Sequence, residues 1–133
     1  RNEKLASFLR RINVCEERGS GIDKVVFQTE LFQLPPPLFE ITDQHTRCVL
    51  FAYKELNAMQ KEEKVRACYL HACLKFVQRE AMTNTSLRDR FGIDEKNSAI
   101  ASRIIKDALN DGKIKLYDPK AARRYMKYVP HWA

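Results

Sequence analysis

The chain has 133 residues, 44% of them hydrophobic and 31% charged, with 4 Gly and 5 Pro. That length suits one domain of ordinary size or two small ones, and it excludes an eightfold β/α barrel or a complete dinucleotide-binding enzyme with a separate substrate domain; the composition excludes a long disordered protein. The formal charge is +7, and since residues 1–59 carry eight Lys/Arg and eight Asp/Glu, the whole excess belongs to residues 60–133 and favours a polyanionic partner.

In chain order, Leu5, Phe8, Leu9 and Ile12 recur at i, i+3, i+4 and i+7 and predict an amphipathic helix over residues 3–13. After Val14-Cys15 and Glu16-Glu17-Arg18-Gly19-Ser20-Gly21, a second helix is expected from about Gly21 to Phe32, its apolar set being Ile22, Val25, Val26 and Leu31. Pro35-Pro36-Pro37 stops it, because proline lacks the amide donor a helix needs. Two β-rich pieces, Leu38–Ile41 and Arg47–Tyr53, flank the polar stretch Thr42–Thr46 and predict a hairpin. Gly19-x-Gly21 before a helix is first of all a loop-to-helix turn; free amides at a helix start also attract phosphate, which makes it a candidate anion site. A Walker-type G-x-x-x-x-G-K-[ST] is absent from the chain.

Residues 60–79 predict the central helix, with one stripe of Val65, Tyr69, Cys73 and Phe76 and another of Ala67, Leu70, Leu74 and Val77. Glu62 and Glu63 suit its positive end. Residues 82–93 read as a short helix capped by Thr83, with Leu87 and Phe91 inward and Gly92 as its left-handed stop. A third helix is expected to begin near Glu95–Ser98 and end at Asn110-Asp111-Gly112, completing a helix-turn-helix. It divides into an apolar face of Ala101, Ile104, Ile105, Ala108 and Leu109 and a small, basic face of Ser98, Ser102, Arg103 and Lys106. Lys113–Asp118 alternates as a strand, Tyr125–Val129 suits the return, and the loop between them carries Lys120, Arg123 and Arg124. Helices followed by a basic-tipped hairpin predict an α+β winged helix-turn-helix, with the third helix in the major groove and the hairpin on backbone or minor groove. Trp132 is expected to fold back as a packing anchor.

Cys15, Cys48, Cys68 and Cys73 form no C-x-x-C pair and suit a reduced cytoplasmic setting. On a helix Cys68 and Cys73 point about 140° apart, so Cys68, His71 and Cys73 are read as packing residues and no metal is expected. His45, His71 and His131 have no nucleophile or paired carboxylate at a recognisable spacing, so no catalytic residue is proposed. No run of about 18 apolar residues exists, so no membrane span is expected. A leader segment is not evident either, and a start at Arg1 rather than Met suggests a piece of a longer protein.

Arg1-Asn2…Leu5-Ala6…Phe8-Leu9, Glu17-Arg18-Gly19-Ser20-Gly21-Ile22 and Leu34-Pro35-Pro36-Pro37-Leu38-Phe39-Glu40 together resemble the C-terminal part of a bacterial family of transcriptional regulators, loosely called helicase-related ATP-binding proteins. Its members commonly carry an upstream Schlafen-type, AlbA-like domain. Val65-Arg66-Ala67-Cys68-Tyr69, Met82-Thr83-Asn84, Ser102-Arg103-Ile104-Ile105-Lys106 and Arg124-Tyr125…Tyr128-Val129-Pro130 are similar to the winged-helix tail of such proteins, so the resemblance spans essentially the whole chain. It implies that residues 1–57 are the C-terminal fragment of a GHKL-like α/β domain and residues 58–133 the winged-helix domain. It further implies that Gly19 and Gly21 match the family's glycine box, whose upstream Asn- and Asp-bearing partners are missing from this chain. No cofactor is therefore expected here, and ATP is a candidate cofactor only for a full-length protein.

The resulting expectation is a non-enzymatic, duplex-DNA-binding module of a bacterial transcriptional regulator. Ser98, Ser102, Arg103 and Lys106 would face the groove, and Lys120, Arg123 and Arg124 would clamp phosphates. Five phosphate contacts would make log affinity fall with log salt at a slope of about −4 to −5. The rival expectation is a protein–protein or homodimerisation module built on the same scaffold without DNA binding.

Overall fold

The computed structural model describes residues 2–15, 21–122 and 125–133. Among them it is a mixed α and β structure of five helices and two small antiparallel sheets. Helix α1 spans Glu3–Arg11. The Asn2 carboxamide oxygen accepts the Leu5 amide at 3.0 Å, with Glu3 in the first turn and Arg10 and Arg11 in the last. It ends short of residue 13, because Asn13 takes a left-handed conformation at φ 56°. The predicted apolar stripe is present but uncovered: Leu5, Phe8 and Ile12 are each half-exposed or more.

Helix α2 spans Gly21–Leu31 and turns Val26 and Thr29 inward against the central helices. Gln33 at φ 50° ends the run, and the buried Pro35, Pro36 and Pro37 follow. Strands β1 (Leu38–Ile41) and β2 (Thr46–Val49) pair antiparallel with Leu38 opposite Val49 and Ile41 opposite Thr46. Sequence alone extended the second strand to Tyr53; pairing stops at Val49, where its register partner Leu38 begins β1. Glu40 and Arg47, opposite each other across the ladder, form an ion pair.

A single turn of 3₁₀-helix at Leu56–Ala58 leads into α3, Lys61–Val77. Glu63 reaches back to the Gln60 amide at 2.7 Å, closing a capping box, and accepts Lys54 Nζ at 2.8 Å. Its buried face is Val65, Ala67, Cys68, His71, Ala72 and Leu74. The last turn departs from the broad apolar face expected there: Phe76 and Val77 are exposed. Helix α4 spans Asn84–Phe91, capped by Thr83 Oγ1, which accepts the Ser86 amide at 3.1 Å. Gly92 ends it at φ 61°, ψ 34°, in the left-handed region where glycine has no Cβ penalty.

A 3₁₀ turn at Glu95–Asn97 precedes α5, Ser98–Asn110, whose Ala101, Ile104, Ile105 and Ala108 are buried as patterned. Strands β3 (Ile114–Leu116) and β4 (Tyr128–Pro130) pair antiparallel, Ile114 opposite Pro130. The return strand thus lies later than the expected 125–129. Met82 adds a one-residue bridge to Tyr128.

The main apolar cluster runs from Met59 to Tyr128 and centres on the fully buried Cys68, Met82, Leu87 and Ala101. A leucine so buried contributes roughly 2 kcal/mol in transfer from water. The chain end folds back over α3: Trp132 Nε1 donates to Tyr69 Oη at 3.1 Å and its ring meets Phe76 edge-on at 5.4 Å.

Candidate nucleic-acid interface

Ser98, Ser102, Arg103 and Lys106 all lie on the exposed side of α5. With the first turn of α4 and the approach to β4 they form the wall of an open cleft of about 680 Å³. Among the described residues its lining contains three cations, Arg103, Lys106 and Lys127, and no Asp or Glu. Arg103 and Lys106 make no ion pair or side-chain hydrogen bond with the described residues. The nearest acid along α5, Asp107, instead faces α3, its carboxylate 3.6 Å from Lys61 Nζ. Cations without intramolecular partners can neutralise a polyanion without first breaking a bond.

The serines have a different job from the basic pair. Asn84 Nδ2 donates to Ser102 Oγ at 3.0 Å and to Ser98 O at 3.3 Å, and Ser102 Oγ lies 3.2 Å from the same carbonyl. Arg88 Nε in turn donates to Asn84 Oδ1 at 3.2 Å. The Ser102 hydroxyl and the Ser98 carbonyl therefore tie α4 to α5 along the cleft, so Ser102 acts on the joint between the helices and has one hydroxyl proton to share.

The remaining expected contacts divide. Lys120 is exposed, its backbone amide held by Asp118 Oδ1 at 2.9 Å, and it does not line the cleft. Arg123, Arg124 and Gly19 lie outside the described residues. Gly21 opens α2, and among the described residues a Cβ there would meet nothing within 4 Å. Lys127 and Tyr125, which line the cleft from the β4 side, were missed by sequence reasoning. A lysine beside a return strand carried no signal of direction until the strand pairing was known.

Among the described residues no group of three or more His, Cys, Asp or Glu could hold a metal ion. Burial pushes the Cys68 thiol up to about 12, and Cys68 instead contacts the Met82 sulfur at 3.8 Å. Among the described residues no helix is long and apolar enough to cross a membrane.

Residues 1–50 match the family model described as "Putative ATP-dependent DNA helicase recG C-terminal". The match supports an ATPase-related family for that segment, and the cleft is built from residues beyond it. No curated protein and no solved structure matches the chain.

Proposed function

We propose that residues 58–133 form a winged helix-turn-helix domain that binds duplex DNA, within a bacterial transcriptional regulator acting in the cytoplasm. In this reading α3, α4 and α5 are its helices, the β3–β4 hairpin is its wing, and residues 1–57 are the end of an ATPase-like domain attached to it. The observation that carries it is the cleft beside α5, lined by Arg103, Lys106 and Lys127 with no acid among the described residues. In the groove Arg103 and Lys106 meet phosphates or guanine edges, and Lys127 meets the backbone from the hairpin side.

Three phosphate contacts correspond to a salt slope of about −3, and Lys120, Arg123 and Arg124 would steepen it. A lone module of this kind binds non-specifically with a dissociation constant on the order of 10⁻⁴ to 10⁻⁶ M at physiological salt. The test is a salt titration of labelled random duplex by fluorescence anisotropy, with and without the cleft cations. Binding that ignores salt, or no binding at low salt, refutes the reading.

A second reading is favoured by the uncovered apolar faces of α1 and α2, where Phe8, Ile12, Phe27 and Leu31 are exposed. Patches of this kind mark protein–protein contacts, here a homodimer or an adjoining domain. Light scattering beside the anisotropy separates the two: a stable dimer indifferent to duplex favours this one.

A further inference from the structure

His71 is buried in the middle of α3, yet both of its ring nitrogens have partners from other helices. Nδ1 lies 2.8 Å from Glu30 Oε2 of α2, and Nε2 lies 3.1 Å from Ser86 Oγ of α4. The Ser86 oxygen also accepts the Thr83 amide at 3.0 Å and lies 3.1 Å from the Thr83 carbonyl. Glu30 belongs to the segment that matches the ATPase-related family model, whereas Thr83 and Asn84 line the cleft. The route from one to the other is unbroken: the side chains of Glu30, His71 and Ser86, then the backbone of Thr83.

An ionised carboxylate only accepts, so against Glu30 Nδ1 is the ring's donor, and in the tautomer that leaves Nε2 as acceptor the Ser86 hydroxyl donates to Nε2 in place of the Thr83 carbonyl. A hydroxyl has a single proton. Once it is given to His71, the oxygen's lone pairs are oriented toward the Thr83 amide, which closes the reciprocal capping box of α4. Arg90 holds the same joint from the other side: Nη2 donates to Leu34 O at 2.7 Å, and Nε lies 3.7 Å from Glu30 Oε1. That separation is an ion pair without a hydrogen bond, and Nε, Nη1 and Glu30 Oε1 are otherwise unsatisfied. Among the described residues Glu30 therefore has His71 as its hydrogen-bond partner and Arg90 as its charge partner.

We propose that Glu30 and His71 are positioning residues of the duplex-binding cleft: through Ser86 they set the Thr83 cap, and with it the first turn of α4 and the Asn84 joint to α5. The proposal rests on the duplex reading for its consequence and on the relay alone for its mechanism. A displacement of α2 is transmitted to the cleft without any residue of α2 touching DNA.

The test combines duplex affinity with amide hydrogen exchange at Ser86, whose N–H donates to Thr83 Oγ1. Glu30→Ala is expected to speed that exchange and to weaken duplex binding about three- to tenfold, the effect of one lost hydrogen bond, at unchanged salt slope. Glu30→Gln, which keeps an acceptor for Nδ1–H, is expected to restore both to within about twofold of the parent. Glu30→Ala/Ser86→Ala is expected to be no worse than Ser86→Ala alone, because both act through one hydroxyl. If Glu30→Ala does not fold, His71→Leu cuts the relay at its centre. Additive effects in the double variant, or exchange at Ser86 unaltered by cutting the relay, overturn the proposal. If the parent protein fails to bind duplex at low salt, the duplex reading falls, while the exchange rates still decide for or against the relay.

Discussion

Asn84 gives its side-chain amide to Ser102 Oγ at 3.0 Å, joining the first residue of α4 to the middle of α5 across a gap of 18 positions in sequence. Asn84 thereby ties the start of α4 to the helix that carries Arg103 and Lys106. Asn84→Ala removes the joint and is expected to cost about 1 kcal/mol of stability, with Ser102→Ala adding little in the double variant. Thermal unfolding of the two single variants and the double checks it; full additivity would show that the bond is not what these residues share.

Arg103 and Lys106 differ from the serines in having no such internal role. Arg103→Ala/Lys106→Ala is expected to leave the melting temperature nearly unchanged and to make the salt slope of duplex binding shallower by about two. Anisotropy at four or more salt concentrations reads the slope. An unaltered slope removes α5 from the interface.

Gly92 is held at φ 61°, and a Cβ there would stand 3.0 Å from Gln33 Nε2 and 3.2 Å from Gln33 Oε1. Gly92→Ala is expected to cost at least 1 kcal/mol through the left-handed backbone, with the flexible Gln33 end moving aside. Chemical denaturation gives the value. A neutral or stabilising result would show that α4 can end in another conformation.

Burial raises the Glu63 carboxyl, but the hydrogen bonds from Lys54 and the Gln60 amide, with the charges of Lys54 and Arg66, outweigh it and hold the group below its ordinary range. A carboxylate depressed in the folded state contributes stability above its unfolded value, and this is lost as pH falls through the folded one. Stability measured from neutral pH downward is therefore expected to decline through and below the ordinary carboxylate range, and to decline less in Glu63→Gln. Parallel curves for the two proteins would remove Glu63 from the acid response.

The cysteines should react in order of exposure. Cys15 and Cys48 are exposed, while Cys68 is fully buried with its thiol pushed up to about 12. An alkylating reagent at pH 8 is expected to modify Cys15 and Cys48 in the native protein, and Cys68 only on unfolding. Mass spectrometry of the digested protein resolves each site. Native-state labelling of Cys68 would show that the core opens readily.

Features encoded within a few consecutive residues were readable before folding. The Thr83 cap, the Gly92 stop, the halt before Pro35-Pro36-Pro37 and the inward face of α5 each depend on residues within about two helical turns of one another. Their physics is a turn's geometry, which composition and spacing express directly. The basic face of α5 belongs to the same class, because helical periodicity alone brings Arg103 and Lys106 together.

Other features arise only when distant segments meet. Asn84 could not be assigned to Ser102, nor Glu30 to His71, until α4 met α5 and α2 met α3, because a polar side chain on one helix does not name its acceptor on another. Lys127 joined the cleft through a hairpin register that pairs Ile114 with Pro130. Phe76 and Val77 went the other way: their apolar spacing matched the core pattern, but both are exposed, Phe76 meeting only the edge of the Trp132 ring among the described aromatic contacts. Periodicity reports which residues can share a face. Only packing chooses the face that is buried, because that choice depends on what surface the rest of the chain brings against it.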